Sequence, residues 1–161
     1  MKCIVIYYSL TGNTKLIAEV IARSIKADLE QLALVKPMPQ GFTKFIIGGY
    51  QAIFNREPKL KPYTIDFSKY DLIFLGSPIW GGKIASPINT FLNDEGLHDK
   101  KICFFSTSGG IINNLETLIK PKINKTNHLL NCLSLVATAN NLVKNQEKVT
   151  KWALANYKLH K

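Results

Sequence analysis

An α/β domain on a doubly wound, five-stranded parallel sheet is the fold this sequence predicts. Several short apolar runs, rich in β-branched and aromatic residues, show no polar alternation, as strands buried on both faces require. These runs alternate with stretches whose apolar residues recur at helical spacing, the βαβ pattern of a parallel sheet. The length of 161 residues fits one domain, 1–161, that buries about two-thirds of its unfolded surface without a disulfide or metal staple. With 46% hydrophobic and 20% charged residues, disordered, collagen-like and coiled-coil chains are excluded.

The first strand is the run from Cys3 to Tyr8. After a polar loop, Leu16, Ile17, Val20, Ile21 and Ile25 mark one face of a helix, with Glu19 and Arg23 as an i,i+4 pair on the other. Leu29 to Val35 reads as the second strand, broken by Pro37 and Pro39. Gly41 to Arg56 reads as a helical segment interrupted at Gly48 and Gly49, and Pro58 and Pro62 close that connection. Leu72 to Leu75 is the third strand. A helix from Pro87 to Leu92 follows, with Ser86 as its N-cap and Gly96 ending it. Ile102 to Phe105 is the fourth strand, Ile111 to Ile119 a short helix stopped by Pro121, Leu129 to Val136 the fifth strand, and Asn141 to Leu159 the last helix.

Cys3, Cys103 and Cys132 stand far apart with no CxxC or His/Cys cluster, which removes support for zinc, iron–sulfur or thioredoxin-type chemistry. Their odd number and apolar neighbours fit a reducing cytoplasm, and no apolar stretch is long enough to span a membrane. The charge is unusual. Lys and Arg number 21 against 11 Asp and Glu, a net +10. From Lys120 onward eight Lys face the single acid Glu147, so +7 of that excess lies in the last quarter of the chain.

Ligands of open α/β sheets bind beyond the strand C-termini, and three loops there have the same character. Ser9-Leu10-Thr11-Gly12-Asn13-Thr14 gathers hydroxyls, an amide and a glycine at a helix start, where backbone N–H groups and the helix dipole hold an anion without a side-chain cation. It is neither a nucleotide-triphosphate loop nor a GxGxxG. Read by itself it is equally a capped turn, with Asn13 or Thr14 as the cap. Gly76-Ser77-Pro78-Ile79-Trp80-Gly81-Gly82 places a large aromatic between glycines; Trp80 is either a stacking face or a plug for the core edge. Ser106-Thr107-Ser108-Gly109-Gly110 again offers small hydroxyls and glycines before a helix. In a 2-1-3-4-5 sheet these loops share one crevice, suited to a planar aromatic ligand with one phosphate.

From Ile4 through Thr14, Gly76 to Gly81 and Ser106 to Gly110, the chain resembles the flavodoxin family, in particular short single-domain members. The resemblance implies a flavodoxin-like fold and non-covalently bound FMN. Ser9, Leu10, Thr11, Gly12, Asn13 and Thr14 would hold the phosphate. Ser77, Pro78, Ile79, Trp80 and Gly81 would border the isoalloxazine with Trp80 stacked on it, and Ser106, Thr107, Ser108, Gly109 and Gly110 would form the third wall. The third loop lacks the Asp and Tyr that many electron-carrier flavodoxins place there, and those carriers are usually acidic.

The expected function is electron transfer through FMN, as redox partner or small reductase, with no catalytic side chain and no metal. His98, His128 and His160 lie outside the three loops. The basic balance suggests an acidic redox protein as partner, and the segment from Gly41 to Pro62 is open to three roles: capping the flavin pocket, forming a homodimer, or docking a partner. The alternative is a charge-driven nucleic-acid module using Phe42, Phe45, Tyr50, Phe54, Arg56, Lys59 and Lys61, which match no recognition motif. A receiver domain is excluded, since Tyr8-Ser9 and Gly76-Ser77 supply none of the acidic residues it needs.

Overall fold

A computed structural model describes residues 1–38, 41, 57–93, 97–137 and 139–160. In chain order these form β1 (Cys3–Tyr7), α1 (Asn13–Ile25), β2 (Asp28–Gln31), a 3-10 turn (Phe67–Lys69), β3 (Leu72–Trp80), β4 (Lys83–Ile84), α2 (Ser86–Leu92), β5 (Lys101–Ser108), α3 (Leu115–Ile119) running into a 3-10 turn (Lys120–Lys122), β6 (His128–Val136) and α4 (Ala139–His160). The helical reading of Gly41 to Arg56 and the stop at Gly96 lie outside the described residues.

The sheet order is β2-β1-β3-β5-β6, all parallel, which is the expected 2-1-3-4-5; β4 is an additional antiparallel strand on β3. Two apolar layers sandwich it. Val5, Phe74, Phe105 and Leu133 face α1 and α4 with Ile17, Ile21, Val149 and Ala153. Ile4, Ile73, Phe104 and Ile102 face α2 and α3 with Ile88, Phe91, Leu115 and Ile119. Because the central strands are covered on both sides, their runs carry no polar alternation.

Several boundaries differ from the sequence reading. β2 is shorter: its ladder ends at Gln31, with Leu32 N–H donating to Tyr7 C=O at 2.8 Å and Leu34 bridging to Leu60. β3 continues through Pro78 to Trp80. Gly76 turns its carbonyl to Tyr8 N–H (3.1 Å), and Pro78, two residues on, presents its backbone on the same side, beyond the last β1 pair. Its missing N–H therefore breaks no ladder bond. β5 extends to Ser108, so Ser106 and Thr107 are strand rather than loop. α3 begins only at Leu115, and Pro121 sits inside the 3-10 turn instead of stopping the helix outright. Ser86 is the first helical residue of α2 and Ala85 its cap, without a capping side chain. The Glu19–Arg23 pair is replaced: the Glu19 carboxylate meets Lys15 at 3.9 Å, while Arg23 Nε donates to the Glu19 carbonyl at 3.3 Å.

Candidate functional site

The loop after β1 is shaped by one glycine. Gly12 adopts φ 90° and ψ −15°, with open space where a Cβ would stand. Its N–H is held by Ser9 Oγ (3.1 Å), and its carbonyl accepts Leu16 N–H (3.0 Å), which starts α1. The cap is thus Gly12, and neither Asn13 nor Thr14 fills that role. No side chain occupies the cap and no acid lies in the first turn, so the leading amides of α1 keep their donors for an incoming anion. Thr14 is buried; its hydroxyl meets that of Thr107 at 2.7 Å and ties the loop to the end of β5.

The second wall is a hairpin. Gly81 (φ 53°) and Gly82 (φ 73°) form the two-residue turn between β3 and β4, a conformation that glycine adopts without strain. Trp80 is paired across it with Lys83 and meets the ring of Tyr8 edge-on, centroids 5.7 Å apart. Burial pushes the Tyr8 phenol up to about 12, so it stays neutral. Ser77 differs from the expectation. It is fully buried, donates to the Pro78 carbonyl (2.8 Å) and accepts Ala85 N–H (3.1 Å), pinning the hairpin to the start of α2.

The third wall is the end of β5. Ser108 Oγ donates to Gly110 C=O (2.6 Å), and Ser108 C=O accepts Ala137 N–H (2.8 Å). Ser106 is fully buried, with no partner for its hydroxyl among the described residues, on the sheet face that carries Phe104.

The three walls enclose a cavity of about 350 Å³ lined by Leu10, Thr11 and Asn13, by Pro78, Ile79 and Trp80, by Thr107, Ser108 and Gly109, and by Ala137. That size lies within the range of small-molecule sites. Of the remaining expected residues, Ser9, Gly12 and Thr14 build the first loop from behind, Ser77 and Ser106 are turned into the core, and Gly81 and Gly110 are exposed outside the lining. Ala137 was missed. It directly follows β6, and the small residue next to the β5 end was the available signal. A larger groove of about 700 Å³ runs between α3 and β6, but it has neither an aromatic face nor a phosphate-competent loop.

Among the described residues, no His, Cys, Asp or Glu lines the 350 Å³ cavity and no group of metal-ligating residues exists. Burial pushes the thiol of Cys103 up to about 12 and those of Cys3 and Cys132 to about 11, so none is a nucleophile at neutral pH. The site can hold an anion and a flat ring, and any redox chemistry must come from what it holds.

Residues 52–153 match the family model described as Flavodoxin. The chain belongs to the flavodoxin family. It is 32% identical over 134 residues to the flavodoxin-like domain-containing protein BilS of Clostridioides difficile, covering 78% of this chain but 61% of that protein, so it spans about three-fifths of that relative's length. Among solved structures, an FMN-bound flavoprotein from Lactobacillus acidophilus is 27% identical, with a TM-score of 0.72 over 83% of this chain and 92% of that one. Oxidised flavodoxin 2 from Bacillus cereus, at 19% identity, shares the fold with a TM-score of 0.66 over 98% of this chain and 99% of its own. Family membership favours the flavodoxin reading over the nucleic-acid module. No helix among the described residues is long and apolar enough to cross a membrane.

Proposed function

We propose that this flavodoxin-family chain binds FMN non-covalently in the 350 Å³ cavity and transfers electrons through it, as a redox partner or small reductase. The observation that carries this reading is the convergence of the start of α1, which has no capping side chain, and the indole of Trp80 on one cavity. The donor set fits the group. Backbone N–H groups and the polar side chains of Thr11 and Asn13 suit a phosphate, and no side chain at Gly12 obstructs its approach. Pro78, Ile79 and Trp80 offer apolar and aromatic surface to a ring, while Thr107, Ser108 and Gly109 close the far side. The match to an FMN-bound flavoprotein from Lactobacillus acidophilus supports the same ligand.

Bound FMN supplies one- and two-electron redox chemistry; the polypeptide holds it and tunes its potential. With no carboxylate among the described lining residues and a net charge of +10, the field favours the negative charge that the second electron brings. Lysines beyond about 8–10 Å are screened and contribute little. This favours two-electron reductase behaviour over a low-potential shuttle.

The test is the visible spectrum and fluorescence of the purified protein on adding FMN. Binding gives structured flavin bands and quenched fluorescence, and Trp80→Ala weakens both. Absence of binding at micromolar FMN refutes the assignment. A reductive titration in a single two-electron wave favours a reductase, and two separate one-electron waves favour a carrier.

A further inference from the structure

We infer that the open edge of β6 docks an extended segment of another protein, added to the sheet as an antiparallel strand with acidic residues at its C-terminal end. The two edges of the sheet differ. β2 is four residues long and carries Asp28 and Glu30, features that discourage pairing with another chain. β6 is nine residues long, has no carboxylate, lysine or arginine, and among the described residues pairs with β5 alone. A chain with 21 Lys and Arg has placed none of them on its longer sheet edge.

The ladder shows which backbone groups are free to pair. His128 N–H donates to Lys100 C=O and Ala137 N–H to Ser108 C=O, both at 2.8 Å, so both residues face β5. Strand alternation back from Ala137 turns Leu135, Leu133 and Asn131 to β5, and Val136, Ser134 and Cys132 outward. The bulge between Ile102 and Cys103 leaves Leu130 without a ladder partner, which lets His128 face β5 as well. The Val136 carbonyl accepts the Asn145 amide (3.5 Å) on the outer side, as this alternation requires. No described group bonds the outward backbone of Cys132 or Ser134.

The groove beside this edge is as long as the strand. The 700 Å³ groove between α3 and β6 shares Lys120 and Leu130 with a cavity of about 460 Å³. That cavity shares Ile123, Asn124 and Lys125 with another of about 570 Å³. Together they follow β6 from Ser134 back past His128, and nine residues of strand span about 30 Å. The only carboxylate on their described lining, Glu116, is paired with Lys120 at 3.5 Å. At the His128 end, Lys122 and Lys125 are in no ion pair with a described residue. The charge of Lys83 reaches half-buried Lys122, whose pKa is lowered by burial first and by Lys83 next, with Glu57 opposing.

That charge decides the occupant. A second copy would set the +7 of residues 120–161 against itself, whereas acidic residues meet Lys122 and Lys125 with opposite sign. The antiparallel ladder is the more stable one, and it brings the C-terminal end of the segment to those lysines. Main-chain hydrogen bonds to Cys132 and Ser134 then supply affinity, and alternate side chains of the segment enter the groove.

The probe is a synthetic peptide of alternating valine and threonine that ends in a run of glutamates, titrated into the isotopically labelled protein. Binding slows amide exchange at Cys132, Ser134 and Val136 about tenfold or more, while Leu133 and Leu135, already bonded to β5, change little. Affinity falls about tenfold or more when lysines replace the glutamates, and likewise in Lys122→Glu with Lys125→Glu. Ser134→Pro removes one outward N–H without touching the β5 ladder and weakens binding by about tenfold or more. Thermal unfolding shows whether each variant folds; if Ser134→Pro does not, the lysine pair and the exchange pattern decide. No protection on β6 at about 1 mM peptide, protection of Leu133 in place of Cys132, or equal affinity for the lysine-ended peptide overturns the docking site. A dimer in sedimentation whose Cys132 N–H is already protected overturns it too, because the edge then belongs to a second copy.

Discussion

Thr14→Val is the substitution that most sharply probes how the loop after β1 is held. Residues Thr14 and Thr107 are 1% and 3% exposed, their hydroxyls lie 2.7 Å apart, and neither makes another hydrogen bond to a described residue. Valine keeps the shape but removes one partner, leaving the other hydroxyl buried and unsatisfied, which costs about 1–3 kcal/mol. Thr107 lines the cavity, where water can reach it, so Thr14→Val belongs at the lower end, about 1–2 kcal/mol. Thr107→Val leaves the Thr14 hydroxyl stranded in the first turn of α1 and belongs nearer the upper end. Removing both hydroxyls exchanges a polar pair for two apolar groups of equal shape, so the double variant is less destabilised than the two singles combined. The coupling should reach about 1 kcal/mol or more, read as urea midpoints of the apo-protein at constant m-value. For a chain of this size each kcal/mol is about 2–4 °C in Tm. If the double variant equals the sum of the singles within about 0.3 kcal/mol, the hydroxyl pair does not hold the loop.

Three further outcomes are expected. Gly76→Ala places a Cβ 2.2 Å from Phe105 Cζ, an overpacking that costs about 1–3 kcal/mol; Phe105→Leu in the same chain should recover part of the loss, and calorimetry showing no recovery would rule out the clash. Gly12→Ala meets no atoms but must hold φ 90°, costing about 1–2 kcal/mol; Gly12→Asn, which tolerates that conformation, should retain more stability and more FMN affinity, and equal loss in the two would locate the defect elsewhere. The hydroxyl of Tyr70 (2.7 Å), followed by Lys2 (3.1 Å), holds the Asp28 carboxyl below the usual carboxylate range. Its stabilisation is therefore present above the unfolded value of about 4 and fades as pH falls through the folded one. Tyr70→Phe should move the NMR titration of Asp28 back up toward that value, and an unmoved titration would exclude the hydrogen bond as the main cause.

The parallel core was readable because β1, β3 and β5 are covered on both faces, and their apolar runs say so without help from context. The edges were harder. β2 pairs on one side only and its ladder ends at Gln31, although Leu32 and Leu34 remain buried beyond it. β4 was overlooked even though Gly81-Gly82 between Ile79-Trp80 and Lys83-Ile84 is a two-residue hairpin signal. Ending the third strand at Leu75 and reading Gly76 to Gly82 as one loop obscured it, whereas β3 runs on to Trp80. The same shift in boundaries changes the roles of site residues. Once Gly76 to Trp80 and Ser106 to Ser108 are strand, alternate side chains must point into the core, and Ser77 and Ser106 do so. Apart from Ala137, the residues on the cavity, including Leu10, Thr11, Asn13, Trp80 and Thr107, were within the expected loops, because glycine and hydroxyl clusters at strand ends have few other reasons to recur three times.

The most direct measurement of the central claim is a calorimetric titration of the apo-protein with FMN and, in parallel, with riboflavin. A cradle built from the start of α1 facing a stacking Trp80 predicts one FMN per chain at micromolar Kd or tighter. Riboflavin, which lacks the phosphate, should bind at least about tenfold more weakly, equivalent to about 1.4 kcal/mol. Equal affinity for the two would contradict the phosphate cradle, and no heat with either would contradict the flavin site itself.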